Sequence, residues 1–128
     1  MQAFHSNWTR PFFIRNPHME YRIEPFELLT TALSALEWRR ENGSIRMICD
    51  TPAKRYYESL GLCCLWDDGV YPLLDTMPED INATAFWAAG KLYALSAVPS
   101  PCVMLDTDFI CWKSISNLLD GPDTAAIH

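Results

Sequence analysis

With 128 residues, close to half of them hydrophobic, the chain is long enough for one domain with a buried core and too apolar for disorder. Its formal net charge of −6 argues against non-specific binding to nucleic-acid phosphates, so no nucleic-acid partner is expected. No apolar run approaches the roughly 20 residues that cross a bilayer. Met1-Gln2-Ala3-Phe4-His5 lacks the basic lead and apolar core of a signal peptide, so a cytoplasmic location is expected. The cysteines (Cys49, Cys63, Cys64, Cys102 and Cys111) form no Cys-x-x-Cys pair, and His5, His18 and His128 are scattered. Zinc ligation needs tighter spacing, so reduced thiols packed as small hydrophobes are expected instead.

In chain order, Met1 to Phe4 is a short apolar segment that turns polar at His5-Ser6-Asn7. Phe12 to Glu24, with Pro17 inside it, has little periodicity and predicts a loop. Pro25 suits a first helical turn, and Glu24 and Glu27 favour its positive end. Leu29, Ala32, Leu33 and Leu36 recur at helical spacing and predict the buried stripe, and Asn42-Gly43 stops the helix. Ser44 to Asp50 predicts the second strand. Asp50-Thr51-Pro52 then supplies a cap and a first-turn proline for a helix that ends at Gly61. Asp50 is placed either to contact a ribose or base, or to cap that helix. Leu62 to Trp66 predicts a third strand, turned by Asp67-Asp68-Gly69. Adjacent strand residues face opposite ways, so Asp67 and Asp68 are not expected to share a cation.

Val70 to Asn82 predicts a loop, and Ala83 to Ala97 a helix that is apolar on most sides and therefore buried. One face carries Phe86, Ala89, Gly90, Tyr93 and Ala97, widened by Trp87, Leu92 and Leu95. Lys91 is its only charge; it either snorkels to solvent or reaches a phosphate as a point charge. Val98-Pro99-Ser100-Pro101 then bounds the run Cys102-Val103-Met104-Leu105, which predicts a buried central strand. That run ends in Asp106-Thr107-Asp108. Two carboxylates spaced i and i+2 share a side if the chain stays extended, and a pair of like charges at the carboxyl edge of a sheet suits Mn²⁺ or Mg²⁺. Phe109 to Trp112 predicts a short strand and Lys113 to Leu119 a short helix, broken at Asp120-Gly121-Pro122-Asp123. Strand, carboxylate and helix thus alternate, the rhythm of an α/β domain.

The segment Val103-Met104-Leu105-Asp106-Thr107-Asp108-Phe109, preceded by Phe86-Trp87-Ala88-Ala89-Gly90-Lys91-Leu92-Tyr93-Ala94-Leu95, resembles the DxD region of GT-A-fold glycosyltransferases of the glycogenin-like and galactosyltransferase-like kind. The resemblance implies a mostly parallel, Rossmann-like sheet flanked by helices, with residues 1–128 forming a single domain that is partial relative to the family. It implies a nucleotide-diphosphate sugar as ligand, a UDP-sugar first among them, with an acceptor that it does not identify. Mn²⁺ or Mg²⁺ would be held by Asp106 and Asp108, with Phe4, His5, Ser6, Asp50, Lys91 and Thr107 near the donor. By chain order His5 would stack on or hydrogen-bond the base, or else stand as a surface-loop histidine. Because the family's acceptor half follows the DxD segment, the chain looks truncated. A homo-oligomer or a partner chain would then complete the site, and no catalytic base is named. Two rivals stand beside this reading. One is a non-catalytic α/β binding or interaction module. The other is a phosphohydrolase using Asp-x-Asp, which needs a downstream Lys and acidic pair where only Asp120 and Asp123 follow.

Overall fold

The computed structural model describes residues 2–119; the predicted break at 120–123 and the chain end lie outside the described residues. The elements run β1 (Gln2–Asn7), α1 (Arg10–Arg15), α2 (Pro25–Glu41), β2 (Ile45–Cys49), α3 (Thr51–Ser59), β3 (Val70–Tyr71), α4 (Ala89–Ala97), β4 (Cys102–Leu105) and α5 (Ser116–Leu119), with 3₁₀ turns at Cys63–Leu65 and Leu73–Thr76. The strands form one four-stranded sheet, entirely parallel, in the order β3-β2-β1-β4. The expected α/β class, a parallel sheet flanked by helices, is the observed one.

Side-chain alternation along the strands sorts the core into two layers. Ala3, Ile45, Met47, Cys49 and Leu105 pack with Ala35 and Trp38 of α2 and Ala53 and Tyr57 of α3. Phe4 and Ile48 face the other way, against Ala94 of α4, Leu74, Met77 and Val98. β1 is covered on both faces, with Ala3, Phe4 and His5 all buried, as a central parallel strand must be. From β1 the chain steps outward through β2 to β3, then crosses back to lay β4 on β1's free side. The strand order therefore reverses between β1 and β4. In open parallel sheets that reversal opens a crevice beyond the carboxyl ends of the two strands.

Several sequence expectations give way to tertiary demands. β4 is an edge strand, since β1 takes the centre. The third strand is Val70–Tyr71, in register with Met47 and Ile48, whereas Leu62 to Trp66 coils into a 3₁₀ turn that drives Leu65 and Trp66 under the sheet. Arg10–Arg15 forms a helix that runs into the loop expected from Phe12, with Pro11 in its first turn. Phe109 to Trp112 has no regular structure. Asn82 Oδ1 accepts from the Thr84 and Ala85 amides (3.0 and 3.1 Å), closing a local turn, so α4 starts only at Ala89. α4 buries Gly90 and Ala94 and leaves Leu92 and Leu95 exposed, with Phe86 and Trp87 exposed just ahead of it. α2 buries Thr31, Ser34, Ala35 and Trp38, leaving Phe26, Leu29, Leu33 and Leu36 exposed. A helix with two apolar stripes can bury either, and the polar bonds described below choose the Ser34 side.

Candidate functional site

The carboxyl edge of the sheet collects Asn7, Asp50 and Asp106 from three neighbouring strand ends. β4 ends at Leu105, and the Phe109 amide donates to the Asp106 carbonyl (3.0 Å). Asp106-Thr107-Asp108 is therefore a tight turn, not the extended segment that would align both carboxylates. Asp106 and Asp108 are exposed and Thr107 is half-buried. Lys91 reaches across from α4 and donates from Nζ to Asp106 Oδ1 (2.5 Å). Its ammonium also lies 5.5 Å from the centroid of the Trp87 ring. The residue expected to meet a phosphate thus meets one of the two aspartates. Among the described residues no group of three or more His, Cys, Asp or Glu side chains could hold a metal ion. With Asp106 already bonded to Lys91 and the two carboxylates not aligned by an extended backbone, a divalent cation here would have to draw most of its usual six or more oxygens from water or phosphate.

The spacing between α4 and the end of β1 is set by a glycine. A Cβ on Gly90 would stand 2.6 Å from the Cβ of Trp8, an atom too close to the backbone to swing aside. Only glycine lets α4 come this close. That approach puts Lys91, the next residue, within reach of Asp106.

A cleft of about 250 Å³ opens at the β1–β4 reversal, lined by Ser6 and Asn7 from β1, Thr107 from the turn, Phe12 from α1, Tyr21 from the loop after it and Tyr57 from α3. Tyr21 Oη donates to Asn7 Oδ1 (3.0 Å), and Asn7 Nδ2 donates to Tyr57 Oη (2.6 Å). Burial pushes both phenols above the usual tyrosine range, so they stay protonated. Ser6 Oγ is buried with no hydrogen-bond partner among the described residues, a polar atom still able to bond a ligand in the cleft. A second cleft, about 240 Å³, lies beyond Asp50 between Trp8, Thr9, Arg10 and Asp75.

Other sequence candidates serve the scaffold. Phe4 lies in the α4-side core. Asp50 caps α3 through the Ala53 amide (3.2 Å), and its Oδ2 accepts from both the amide and the hydroxyl of Thr9 (2.8 and 2.7 Å). Of the two roles open to it, the cap is the one the geometry fills. Asp67 and Asp68 each have a separate arginine, Arg39 and Arg46, in keeping with a turn.

His5 is wholly buried, not placed in a loop beside a base. The Trp66 indole donates to His5 Nδ1 (3.2 Å), which leaves the proton on Nε2. Nε2 then donates to Ser34 Oγ (3.0 Å), and Ser34 donates to the Phe109 carbonyl (2.5 Å). This chain ties β1, α2 and the segment just after the Asp106–Asp108 turn. Burial pushes His5 down to about 4 from 6.5, opposed weakly by the Asp106 charge. Between those values the unfolded chain holds a proton that the folded one refuses. The stability contributed is full above pH 6.5 and is lost as the pH falls toward 4. Urea unfolding at about pH 5 should therefore show about 2 kcal/mol less stability than at about pH 7.5. His5→Gln should flatten that difference; an equally steep fall in the variant would assign it to another group.

Sequence reading missed Asn7, Tyr21, Tyr57, Arg10 and Asp75 at this edge. Continuing the period-2 pattern of β1 past Phe4 would have put Asn7 at the strand's carboxyl end. The tyrosines carry no local signal, because chain folding alone brings Tyr21 and Tyr57 to the same asparagine. No protein-family model, curated protein or solved structure matches the chain.

Proposed function

We propose that this chain is the nucleotide-sugar-binding unit of a metal-dependent glycosyltransferase, taking a sugar from a nucleotide-diphosphate donor. One observation carries the reading. The Asp106-Thr107-Asp108 turn follows β4 at the β1–β4 reversal, and Thr107 lines the cleft that Ser6 and Asn7 line from β1. A bound divalent cation would supply neutralisation of the charge that builds on a diphosphate leaving group. Asp106 and Asp108 would hold it, Ser6 and Thr107 would offer hydroxyls to the donor, and Lys91 would add a positive charge beside the diphosphate. Phe4, His5 and Asp50 would act by holding the strand ends rather than by touching the ligand.

Calorimetric titration of UDP and of GDP, with and without Mn²⁺, tests this reading. Binding of one nucleotide that requires Mn²⁺ is expected, weakened at least about tenfold in Asp106→Ala/Asp108→Ala. A folded protein that binds neither nucleotide, or binds one regardless of metal and of both aspartates, would overturn it. The non-catalytic interaction module would then lead. The exposed stripe Phe26, Leu29, Leu33 and Leu36 on α2 favours that second reading, since apolar patches of this kind mark contact surfaces.

A further inference from the structure

We infer that the cleft at the β1–β4 reversal takes one uncharged, hydroxyl-bearing sugar ring and holds it without any metal ion. The inference rests on the reading above for the source of that sugar, the donor, and on the cleft alone for its chemistry. At about 250 Å³ the cleft falls just below the usual range for ligand pockets, with room for a single ring and not for a whole nucleotide sugar. Arg22 and Glu27, the charged residues that line it, are both exposed and opposite in sign. The inner part is therefore neutral. A carboxylate or ammonium seated there would be buried without a counter-charge, which is costly.

The groups left unspent in the cleft come as donors and acceptors together. Ser6 Oγ is buried with no partner among the described residues, and a hydroxyl both donates and accepts. Asn7 gives one N–H to Tyr57 Oη and accepts one bond from Tyr21 Oη, which leaves the amide one further donor and one further acceptor. The proton of Tyr57 Oη finds no acceptor among the described residues. A phosphate or carboxylate would use the donors and orphan the acceptors. A sugar hydroxyl, itself donor and acceptor, uses both. The walls suit the same ligand. Phe12 and Tyr21 meet edge to face at 85°, ring centroids 5.2 Å apart, and so form a corner rather than a pair of parallel faces. A flat heterocycle gains most between parallel faces, whereas a puckered ring fits a corner and sets its C–H bonds against the negative face of an aromatic ring.

The test is NMR titration of the protein with glucose, galactose and N-acetylglucosamine in the presence of a chelator, with glucuronate as the charged counterpart. Wild type and Ser6→Ala are compared, and urea unfolding of both is measured alongside. At least one neutral sugar should bind with a Kd on the order of millimolar, shifting the signals of Asn7 and Tyr57, and glucuronate should bind at least about tenfold more weakly. Ser6→Ala should bind that sugar roughly fivefold more weakly and yet unfold no more readily than wild type, because the hydroxyl it removes has no partner in the free protein. A serine that served only the scaffold would show the reverse, a loss of stability with sugar binding intact, and that result would overturn the inference. Glucuronate bound as tightly as its neutral counterpart would overturn it too. If no neutral sugar binds while UDP binds with Mn²⁺, the sugar cleft falls and the reading above stands. If a neutral sugar binds as described while neither UDP nor GDP does, the cleft stands and the metal-dependent nucleotide reading falls.

Discussion

Trp66→Ala is expected to lower the free energy of unfolding by about 3–5 kcal/mol, read from urea denaturation. Trp66 is 2% exposed and packs edge-on against Tyr57, ring centroids 4.8 Å apart, and against His5 at 6.3 Å. Truncation would leave a cavity between the sheet and the 3₁₀ turn. It would also leave His5 Nδ1 without its donor, releasing the tautomer that orders the bond to Ser34. Trp66→Phe separates the two effects. It keeps the six-membered ring and removes the indole N–H with part of the fused ring, so a smaller loss of about 1–3 kcal/mol is expected. Loss of less than about 1 kcal/mol in Trp66→Ala would mean that the site collapses without a cavity, against the packing described.

Asp50→Ala should cost about 3 kcal/mol, because the buried carboxylate answers three donors. The Thr9 amide and hydroxyl and the Ala53 amide would all lose it together. Loss of a helix cap alone costs about 0.5–2 kcal/mol, and each buried donor left unpaired adds about 1–3 kcal/mol before relaxation. Asp50→Asn keeps one acceptor oxygen and should recover roughly half of the loss. The consequence reaches both clefts, since Thr9 is where β1 hands over to α1, and Trp8 beside it lines them. An Asp50→Ala protein of near wild-type stability but weakened nucleotide binding would reverse the assignment, making the carboxylate a ligand contact after all.

Elements whose signals are local read correctly. The start of α2 at Pro25, its stop at Asn42-Gly43, the strand Ile45–Cys49, and the cap, body and glycine end of α3 all lie where the residues point. Gly61 takes a φ of 67°, a left-handed conformation that glycine adopts without strain and that ends a helix. The parallel α/β class follows from the same alternation of strand and helix. Of the candidate site, the end of an apolar strand at Asp106 was legible, though not the turn made there, and so was the isolation of Lys91 on its helix.

Misreadings begin where two local answers have similar energies. Leu62 to Trp66 is an apolar run too short for periodicity to separate strand from turn. It becomes a turn because the edge of β2 is taken by Val70–Tyr71 and because the Trp66 indole must reach His5. α2 offers two apolar stripes, and the bond from His5 to Ser34 selects one.

Composition, caps and breakers are properties of neighbouring residues, so they were available before the chain folded; they determine the class and most element boundaries. Which strand is central, which histidine is silent and which charges meet are long-range outcomes. Lys91 finds Asp106 only because β4 lies beside β1 and because Gly90 lets α4 close on Trp8. The sheet order and a single missing Cβ made that pair, and no spacing in the sequence encodes it.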